Sequence, residues 1–507
     1  MSTIEEFSAQ TADITAFTSN PNSPAYQCDS YRRSRGKLQF VADMFTGRSA
    51  WYAVGSFFGE TVDPIKANLY LPQESEEPDE EYNKRLSRSY FVRRFRNAIE
   101  SFAGFLSSFT LVEGTDPSIV DAQQNIDLKG NSLEVFFRAA DQKALRDERC
   151  FILVEFPKPP KDKEGNPLIK SALDERKFGL RPYLVLIDVR DVVNWKLAPD
   201  NRTIMQVTIR ETVTEDIGLF GSKQTVRYRV LFPGGYTIYT EQDGAYVVTD
   251  GGFTSLDRVP LVSYSLTNGD IENRGGADPF SGEPPLYDLA ELNLKHYQKT
   301  SEKDEAMHKC NMAVLQVEEL NAESSSSGET PTVRIGPNTC LWNVRASFVE
   351  PSGAAIAATQ ADIERLEMNM DSRTLSFLSG SEVQRTATEV STFSGPVQAN
   401  LGSMARAKQS KVQSCFELWS QYSNAKVSKS GIYVDEKILQ SAIDSGVIGV
   451  LLQMRQAKEV TRATFLSLLK KGKAFPKDFD VEAEVKALEK EEQLQAQAMA
   501  VLAQKIP

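Results

Sequence analysis

LYDLAELNLKHYQKTSEKDEAMHKC, residues 286–310, and ATQADIERLEMNMDSRTLSFL, residues 358–378, decide how this chain is read. The first opens with Leu286, Leu289 and Leu292 and is then polar nearly all round from Gln298 to Lys309. Taken as a helix over 284–309, it is about 39 Å long at ~1.5 Å per residue. A long helix that is polar on every side does not sit in a monomer's core. It bridges solvent or packs on copies of itself through polar contacts. The second stretch places Ile363, Leu366 and Met370 on one stripe and reads as a second helix. Between them, MAVLQVEEL, TVRIGPNTCLW and VRASFVEP are β-like, and ESSSSGETP (323–331) is a Ser-rich loop tip. Two long helices therefore bracket a small β insert, residues 311–355.

Upstream, the texture is helical and then β-rich. Residues 1–30 (TSNPNSPAYQ and its surroundings) have no sustained period and read as a loose arm. Arg32, Arg33, Arg35 and Lys37 form a basic patch whose plain reading is a solvated helix face. QESEEPDEE (73–81) precedes a run in which Lys84, Arg85, Arg88, Arg93, Arg94 and Arg96 alternate with Tyr82, Leu86, Tyr90, Phe91, Phe95 and Ile99. This predicts one amphipathic helix continuing toward FAGFL, with acids at its start and bases farther along, as the helix dipole favours. A basic helix with aromatics can bind nucleic acid. The preferred reading is that the aromatics are core and the arginines pair with acids. A helix over 131–149 and a buried strand, CFILVEFP (150–157), follow. Short β-branched runs at 182–195, 203–215, 224–241, 244–252 and 259–266 predict an antiparallel β-rich region.

Downstream, SGSEVQRTATEV (379–390) reads as a loop entering a long helix over 391–426, with a kink or restart at Gly395–Pro396. Helical stretches at 435–454, 461–475 and 478–504 complete the chain.

The composition excludes several chemistries. The chain has 507 residues, a soft prior of roughly three domains. With 41% hydrophobic and 25% charged residues it has a globular profile. His296 and His308 are its two histidines, and both lie in the same polar helical stretch, which leaves little for a His-based triad. The five cysteines, at 28, 150, 310, 340 and 415, form no CxxC, and there is no HExxH, so no metal site is expected. Scattered thiols of this kind suit a reducing compartment and behave as small hydrophobes. There is no GxxxxGK[ST] and no strand–GxGxxG–helix, so no nucleotide cofactor is expected. The acidic N-terminus lacks a signal-peptide pattern, and no 18-residue apolar run exists, so no membrane association is expected. Lys plus Arg number 58 against 69 Asp plus Glu, a net charge of -11 that opposes tight DNA binding overall. No catalytic residue is expected.

The order of elements (helical region, β-rich region, polar helix, β insert, second helix, short loop, long helix, helical C-terminus) resembles the portal proteins, or head–tail connectors, of tailed double-stranded-DNA phages. YLPQESEEPDEEYNKRLSRSYFVRRFRNAIESFAGFL is similar to an N-terminal segment of one portal family. VPLVSYSLTNGDIENRGGADPFSGEPPLYDLAELNLKHYQKTSEKDEAMH resembles the strand–loop–helix by which portals enter their stem, and RTATEV (385–390) the string after the second stem helix. The resemblance spans residues 40–425.

It implies an α+β fold of portal type: a flexible arm (1–29), a wing (30–283), a first stem helix (284–310), a clip (311–355) and a second stem helix (356–378). A tunnel loop (379–388), a long kinked helix (389–426) and a helical crown (427–507) complete it. It further implies a homo-oligomeric ring, usually of twelve subunits, at one capsid vertex of the virion, made in the host cytoplasm. Such a ring nucleates head assembly, docks the large terminase, conducts double-stranded DNA without sequence specificity, and then binds a head–tail adaptor. Major capsid protein and scaffold are further implied partners. Candidate channel residues are Lys295, Lys299, Lys303, Arg365, Arg373 and Arg385, for each of which the plainer reading is a solvated or intersubunit-paired base. The tunnel loop maps to Ser379, Gly380, Ser381, Glu382, Val383, Gln384 and Arg385. The clip tip for terminase or adaptor docking maps to Ser324, Ser325, Ser326, Ser327 and Gly328. Both histidines fall in the first stem helix, where packing and polar contact between subunits is expected. The alternatives are another phage structural protein (a head–tail adaptor or a minor capsid protein) or an enzyme of unfamiliar type.

Overall fold

The computed structural model describes residues 18–55, 59–158, 160, 178–200, 203–267, 280, 282–310, 314–319, 344–349, 354–374, 387–423, 429–434, 452–453, 455, 461–471, 480–481, 483–488 and 490. Helix α1 (Asp29–Thr46) buries Tyr31, Leu38, Val41 and Met44 and leaves Arg32, Arg33, Arg35 and Lys37 exposed. It stops at Gly47, whose φ of 78° is left-handed and where a Cβ would lie 2.9 Å from the Arg93 side chain. A short hairpin, β1 (Tyr52–Gly55) and β2 (Gly59–Val62), leads to α2 (Pro64–Tyr70). Asp63 caps α2 by accepting from the backbone of Ile65 and Lys66, and Pro64 occupies the first turn where its missing N–H costs nothing.

The single amphipathic helix expected from residue 84 onward is in fact two, α3 (Asp79–Arg88) and α4 (Arg94–Leu106). The charge placement within α3 is as expected: Asp79, Glu80 and Glu81 lie in its first turn, Arg85 and Arg88 in its last. The arginines do pair with acids, Arg85 with Glu77 at 2.6 Å, Arg88 with Glu305 at 2.5 Å and Arg96 with Glu100 at 2.8 Å. Tyr82, Leu86, Phe91, Phe95 and Ile99 are core. The break is set from elsewhere in the chain, by residues of a later helix.

Strand β3 (Phe109–Leu111), α5 (Pro117–Ala122) and α6 (Leu133–Asp147) precede β4 (Arg149–Glu155), which is buried along all but its last residue. That burial follows from its place between β5 (Tyr183–Ile187) and the later β11 in an antiparallel three-stranded sheet. The run 182–195 is not one strand. It divides at Asp188 into β5 and β6 (Val192–Leu197), which belong to different sheets. Asp188 makes the corner by accepting from its own turn at Arg190 N (3.1 Å) and by holding Lys143, Arg146 and Arg190 at 2.5, 3.0 and 2.9 Å.

An antiparallel meander follows: β6, β7 (Ile204–Ile217), β8 (Gly221–Phe232), β9 (Gly235–Gln242) and β10 (Ala245–Phe253). β11 (Leu261–Ser265) returns to β4. Then come α7 (Tyr287–Cys310), β12 (Val314–Glu319), β13 (Val344–Val349), α8 (Ala354–Ser372) and α9 (Ala387–Tyr422). Of the kink or restart expected at Gly395–Pro396, the restart does not occur: α9 is one helix through these residues. A proline removes its own N–H from the ladder and crowds the carbonyl one turn back, and burial of Leu401, Ala405, Val412, Phe416 and Trp419 farther along keeps the helix in one piece. Strand β14 (Ile432–Val434) pairs antiparallel with β3, and α10 (Arg462–Lys471) lies beyond. The fold class is α+β.

The main core joins α1, α4, α6, β4, β11, the start of α7 and α9. A second core fills the space between the two larger sheets, from Phe151 and Leu153 to Val207, Ile209 and Leu231. A third, small one (Ala25, Tyr31, Val193, Tyr228) sits where α1 begins. Cys150 and Cys415 are buried hydrophobes, and burial raises both thiol pKa values.

One ion pair lies wholly inside the main core. The Lys408 ammonium donates to Asp141 Oδ2 at 2.6 Å and to the Leu106 carbonyl at 2.9 Å, and neither charged side chain has any exposure. Tyr264 donates its hydroxyl to the other Asp141 oxygen at 2.5 Å, and Lys408 lies 4.8 Å from the Phe109 ring centre. This polar knot ties α9 to α6, β11 and the end of α4.

Candidate functional site

The two helices that decided the sequence reading pack against each other. Three contacts fix their direction: Lys303 Nζ donates to Gln360 Oε1 at 3.3 Å, His296 Nε2 lies 3.1 Å from Glu367 Oε1, and Arg373 pairs with Asp288. As residue numbers rise along α7 they fall in step along α8, so the pair is antiparallel. All three contacts are polar, with Ile363, Leu366 and Met370 of α8 buried beside them. β12 and β13, which join the far ends of these helices, pair antiparallel from Val314–Val349 to Glu319–Val344.

A second face of α7 docks on the N-terminal helices. Leu289, Asn293, Tyr297 and Ser301 are all buried, at a four-residue spacing that keeps them on one side. Asn293 Oδ1 accepts from Phe95 N at 2.8 Å, and its amide donates to Val92 O at 2.9 Å. Arg93, at the N-cap position of α4, offers no side-chain cap, so Asn293 does this work from another helix. Ser301 and Ser89 share a buried hydrogen bond of 2.7 Å. Gln298 donates to Tyr70 O at 3.0 Å. These contacts hold the backbone between α3 and α4 out of helical form. Tyr297 packs its ring against Trp51 and Phe91, centres 5.8 and 5.5 Å apart. Arg94, in the first turn of α4, reaches α8 at Glu367 (2.9 Å) and Asp371 (2.8 Å).

His296 lies at the meeting of α4, α7 and α8 and is 2% exposed. Its contact is with Glu367 of its own chain, which corrects the expectation of a role between subunits. Burial pulls the imidazole pKa below its ordinary value and outweighs the Glu367 carboxylate, which raises it; Arg94 and Lys303 add to the lowering. The neutral ring then donates from Nε2 to Glu367, which leaves Nδ1 buried without a partner among the described residues. The second histidine, His308, is exposed.

Among the described residues the candidate channel bases are spread along both helices, and two of them, Lys303 and Arg373, reach across from one helix to the other. Lys295 is exposed and has no acidic partner among the described residues. Lys299 pairs with Glu302 at 2.8 Å, Arg365 with Asp362 at 2.6 Å, and Arg373 with Asp288. Lys303 turns toward Gln360. Arg385, the rest of the tunnel loop (379–384) and the clip tip (324–328) lie outside the described residues. The remaining surface is mixed: Glu291 and Glu302 are exposed on α7, and Glu364, Met368 and Asn369 on α8. Near its outer end α7 borders a cleft lined by Glu74, Glu76, Glu81 and Glu302.

Asn293, His296 and Ser301 escape a reading by apolar stripe, because they are polar residues in buried positions. The signal available for two of them was the four-residue spacing from Leu289 through Tyr297. Among the described residues there is no cluster of His, Cys, Asp and Glu able to hold a metal ion, and no helix is long and apolar enough to cross a membrane.

Residues 285–423, from just before α7 to the end of α9, match the family described as "Domain of unknown function (DUF4055)". No curated protein matches the chain. Among solved structures, a chain from the virion of a native gene transfer agent (GTA) particle is similar at 10% identity and a TM-score of 0.38, over 86% of this chain and 98% of that one. A chain from the neck of an empty GTA particle computed with C6 symmetry matches at 10% identity and 0.38, over 76% and 94%. A chain from the neck of a native GTA particle computed with C12 symmetry matches at 10% identity and 0.37, over 74% and 88%.

Proposed function

We propose that this chain is the subunit of a phage portal, a ring at one capsid vertex of the virion that conducts double-stranded DNA into and out of the head. The observation that carries the reading is the α7–α8 pair. Two long antiparallel helices are joined to each other by polar contacts, anchored at one end in the wing core, and connected at the other through a small β pair. Their outer faces are mostly polar, with Lys295, Arg365, Glu291 and Glu364 exposed beside Met307 and Met368. Such faces suit neighbours of the same kind and a wet channel.

In this reading residues 30–283 are the wing, α7 and α8 the stem, 311–355 the clip and 427–507 the crown. The ring acts by position and not by catalysis. It nucleates head assembly with major capsid protein and scaffold, docks the large terminase that supplies the energy, and later receives a head–tail adaptor. The charge of -11 per subunit becomes roughly -130 in a ring of about twelve, which keeps DNA from adhering while a few bases guide its phosphates. Removing the Ser-rich tip 323–328 tests the layout: rings still form, and terminase or adaptor docking weakens. Unfolding of the whole chain on that deletion contradicts the layout.

A further inference from the structure

The meander has one packed face and one that is half covered. On the packed face, Val207, Ile209 and Leu231 belong to the second core. On the other, Val248 stands opposite Tyr239, Tyr239 opposite Tyr228, and Tyr228 opposite Arg210. Opposite residues of antiparallel strands share a face, so these side chains form one row across β10, β9, β8 and β7. Val226, two residues before Tyr228, and Tyr246, two before Val248, widen the row into a patch. Within it the Tyr228 and Tyr246 rings meet edge-on at 5.4 Å.

This patch is covered at one end. Ala25 and Tyr31 close over Val193 and Tyr228, and all four are buried. Beyond them, among the described residues, the cover stops. Val226 is 42% exposed and Val248 60%, and Tyr239 and Tyr246 are only partly buried. Valines and tyrosine rings together make a continuous apolar patch, unlike single side chains scattered over a surface.

The chain's own N-terminal arm supplies the cover that exists. Cys28 N donates to Val193 O at 3.2 Å, Gln27 N to Thr18 O at 3.0 Å, and the Arg32 guanidinium to Thr18 O at 3.2 Å. Thr18 is thereby tied beside the β6 edge, and Thr18 and Ser19 have helical backbone. The sequence leading to them, MSTIEEFSAQTADITAF, places Ile4, Phe7, Ile14 and Phe17 among mostly polar and small residues. These are too sparse for a sustained stripe, yet spacings of three, seven and three put them on one side of a helix. Residues 4–17 as a helix measure about 21 Å at ~1.5 Å each. The four gaps between strands from β6 to β10 measure about 19 Å at ~4.8 Å each.

We propose that residues 4–17 lie as an amphipathic helix across the half-covered face of the meander in the same chain. Phe17 is nearest β6 and Ile4 nearest β10, and the apolar side rests on Val226, Tyr239, Tyr246 and Val248. The tether selects this occupant. Phe17 is bonded to Thr18, so the segment starts at the edge of this face and meets it at the high effective concentration that a short link gives. A second copy has no such tether. A helix this short is marginal alone in water, so it forms by docking.

The test reads hydrogen exchange in residues 4–17 of three full-length chains: wild type, V226D/V248D and I14D/F17D. The proposal expects protection in the wild type and exchange about tenfold or more faster in both variants, as an undocked short helix gives. Exchange in α6 and the middle of α9 keeps its wild-type rate, which shows that each variant is folded, as the exposure of both valines predicts. An unprotected segment in the wild type overturns the proposal, as does a V226D/V248D chain as well protected as the wild type. A benzophenone side chain at position 7, in a mixture of isotopically light and heavy chains, then identifies the seat. Links to residues 226–248 within chains of one isotope support the proposal. Links between light and heavy chains overturn the same-chain assignment, and links to any other surface overturn the choice of face.

Discussion

Replacing Lys408 with Met leaves the Asp141 carboxylate buried with no counter-charge. In the wild type the pair is fully enclosed at 2.6 Å, with Leu106 O and Tyr264 completing the polar shell. Removing one member of such a pair costs about 3–5 kcal/mol, because the remaining charge is stranded away from water. Stripped of its donor, the Leu106 carbonyl adds to that cost. Set against a typical domain stability of ~5–15 kcal/mol, this is a large share. The double variant D141N/K408M removes both charges and is expected to recover most of the loss, since apolar replacement of a whole buried pair is often close to neutral. Hydrogen exchange read peptide by peptide is the suitable assay, because a chain with several cores need not unfold in one step. At about 1.4 kcal/mol per tenfold, K408M should speed exchange in α6 and the middle of α9 by roughly two to three and a half orders of magnitude. Unchanged exchange in K408M refutes the reasoning, as does a double variant no better than the single one.

Asn293→Leu removes the hydrogen-bond partners of Phe95 N and Val92 O, and each buried orphan costs about 1–3 kcal/mol, so exchange in residues 92–98 should accelerate while α10 is unaffected. Burial alone would raise the Asp188 carboxyl pKa, but Arg190, Lys143 and Arg146 outweigh it and hold the group well below the usual carboxylate range. A group depressed in the folded state contributes stability above its unfolded pKa of about 3.9 and loses it as pH falls further, so D188N should flatten the acid limb of an unfolding curve below about pH 4 while lowering stability at pH 7. His296 has the opposite charge type: its unfolded form binds a proton more readily than its folded form. The stability it allows is complete above about pH 6.5 and is lost as pH falls below that, so acidification should loosen α7 from α8 in the wild type and have a smaller effect in H296Q, read by exchange in residues 290–303.

The order of elements was legible in the sequence because each carries its own period. The polar run 298–309 and the stripe Ile363–Leu366–Met370 became helices, and the β-branched runs other than 182–195 became strands, where expected. What stayed hidden was set by distant residues. The helix predicted through 89–93 has good local periodicity, and it breaks because Asn293 and Ser301 take hold of it from about two hundred positions away. The run 182–195 looks like one strand, and only the cations gathered around Asp188 show why it turns into a second sheet. The Lys408–Asp141 pair joins residues 267 positions apart, and neither looks unusual in its own helix. For the candidate site, the two helices were legible, and the bases expected along them lie on those helices or at their ends wherever they fall among the described residues. Their partners were not, because i,i+3 pairing such as Arg365 with Asp362 cannot be told from pairing between helices by spacing alone.

The central claim is a ring. Mass photometry of the purified full-length chain, with negative-stain images of the same sample, tests it most directly. The account predicts a closed ring of about twelve copies with an axial opening wide enough for duplex DNA. A chain that remains monomeric across micromolar concentrations, or one that assembles without a central opening, contradicts it.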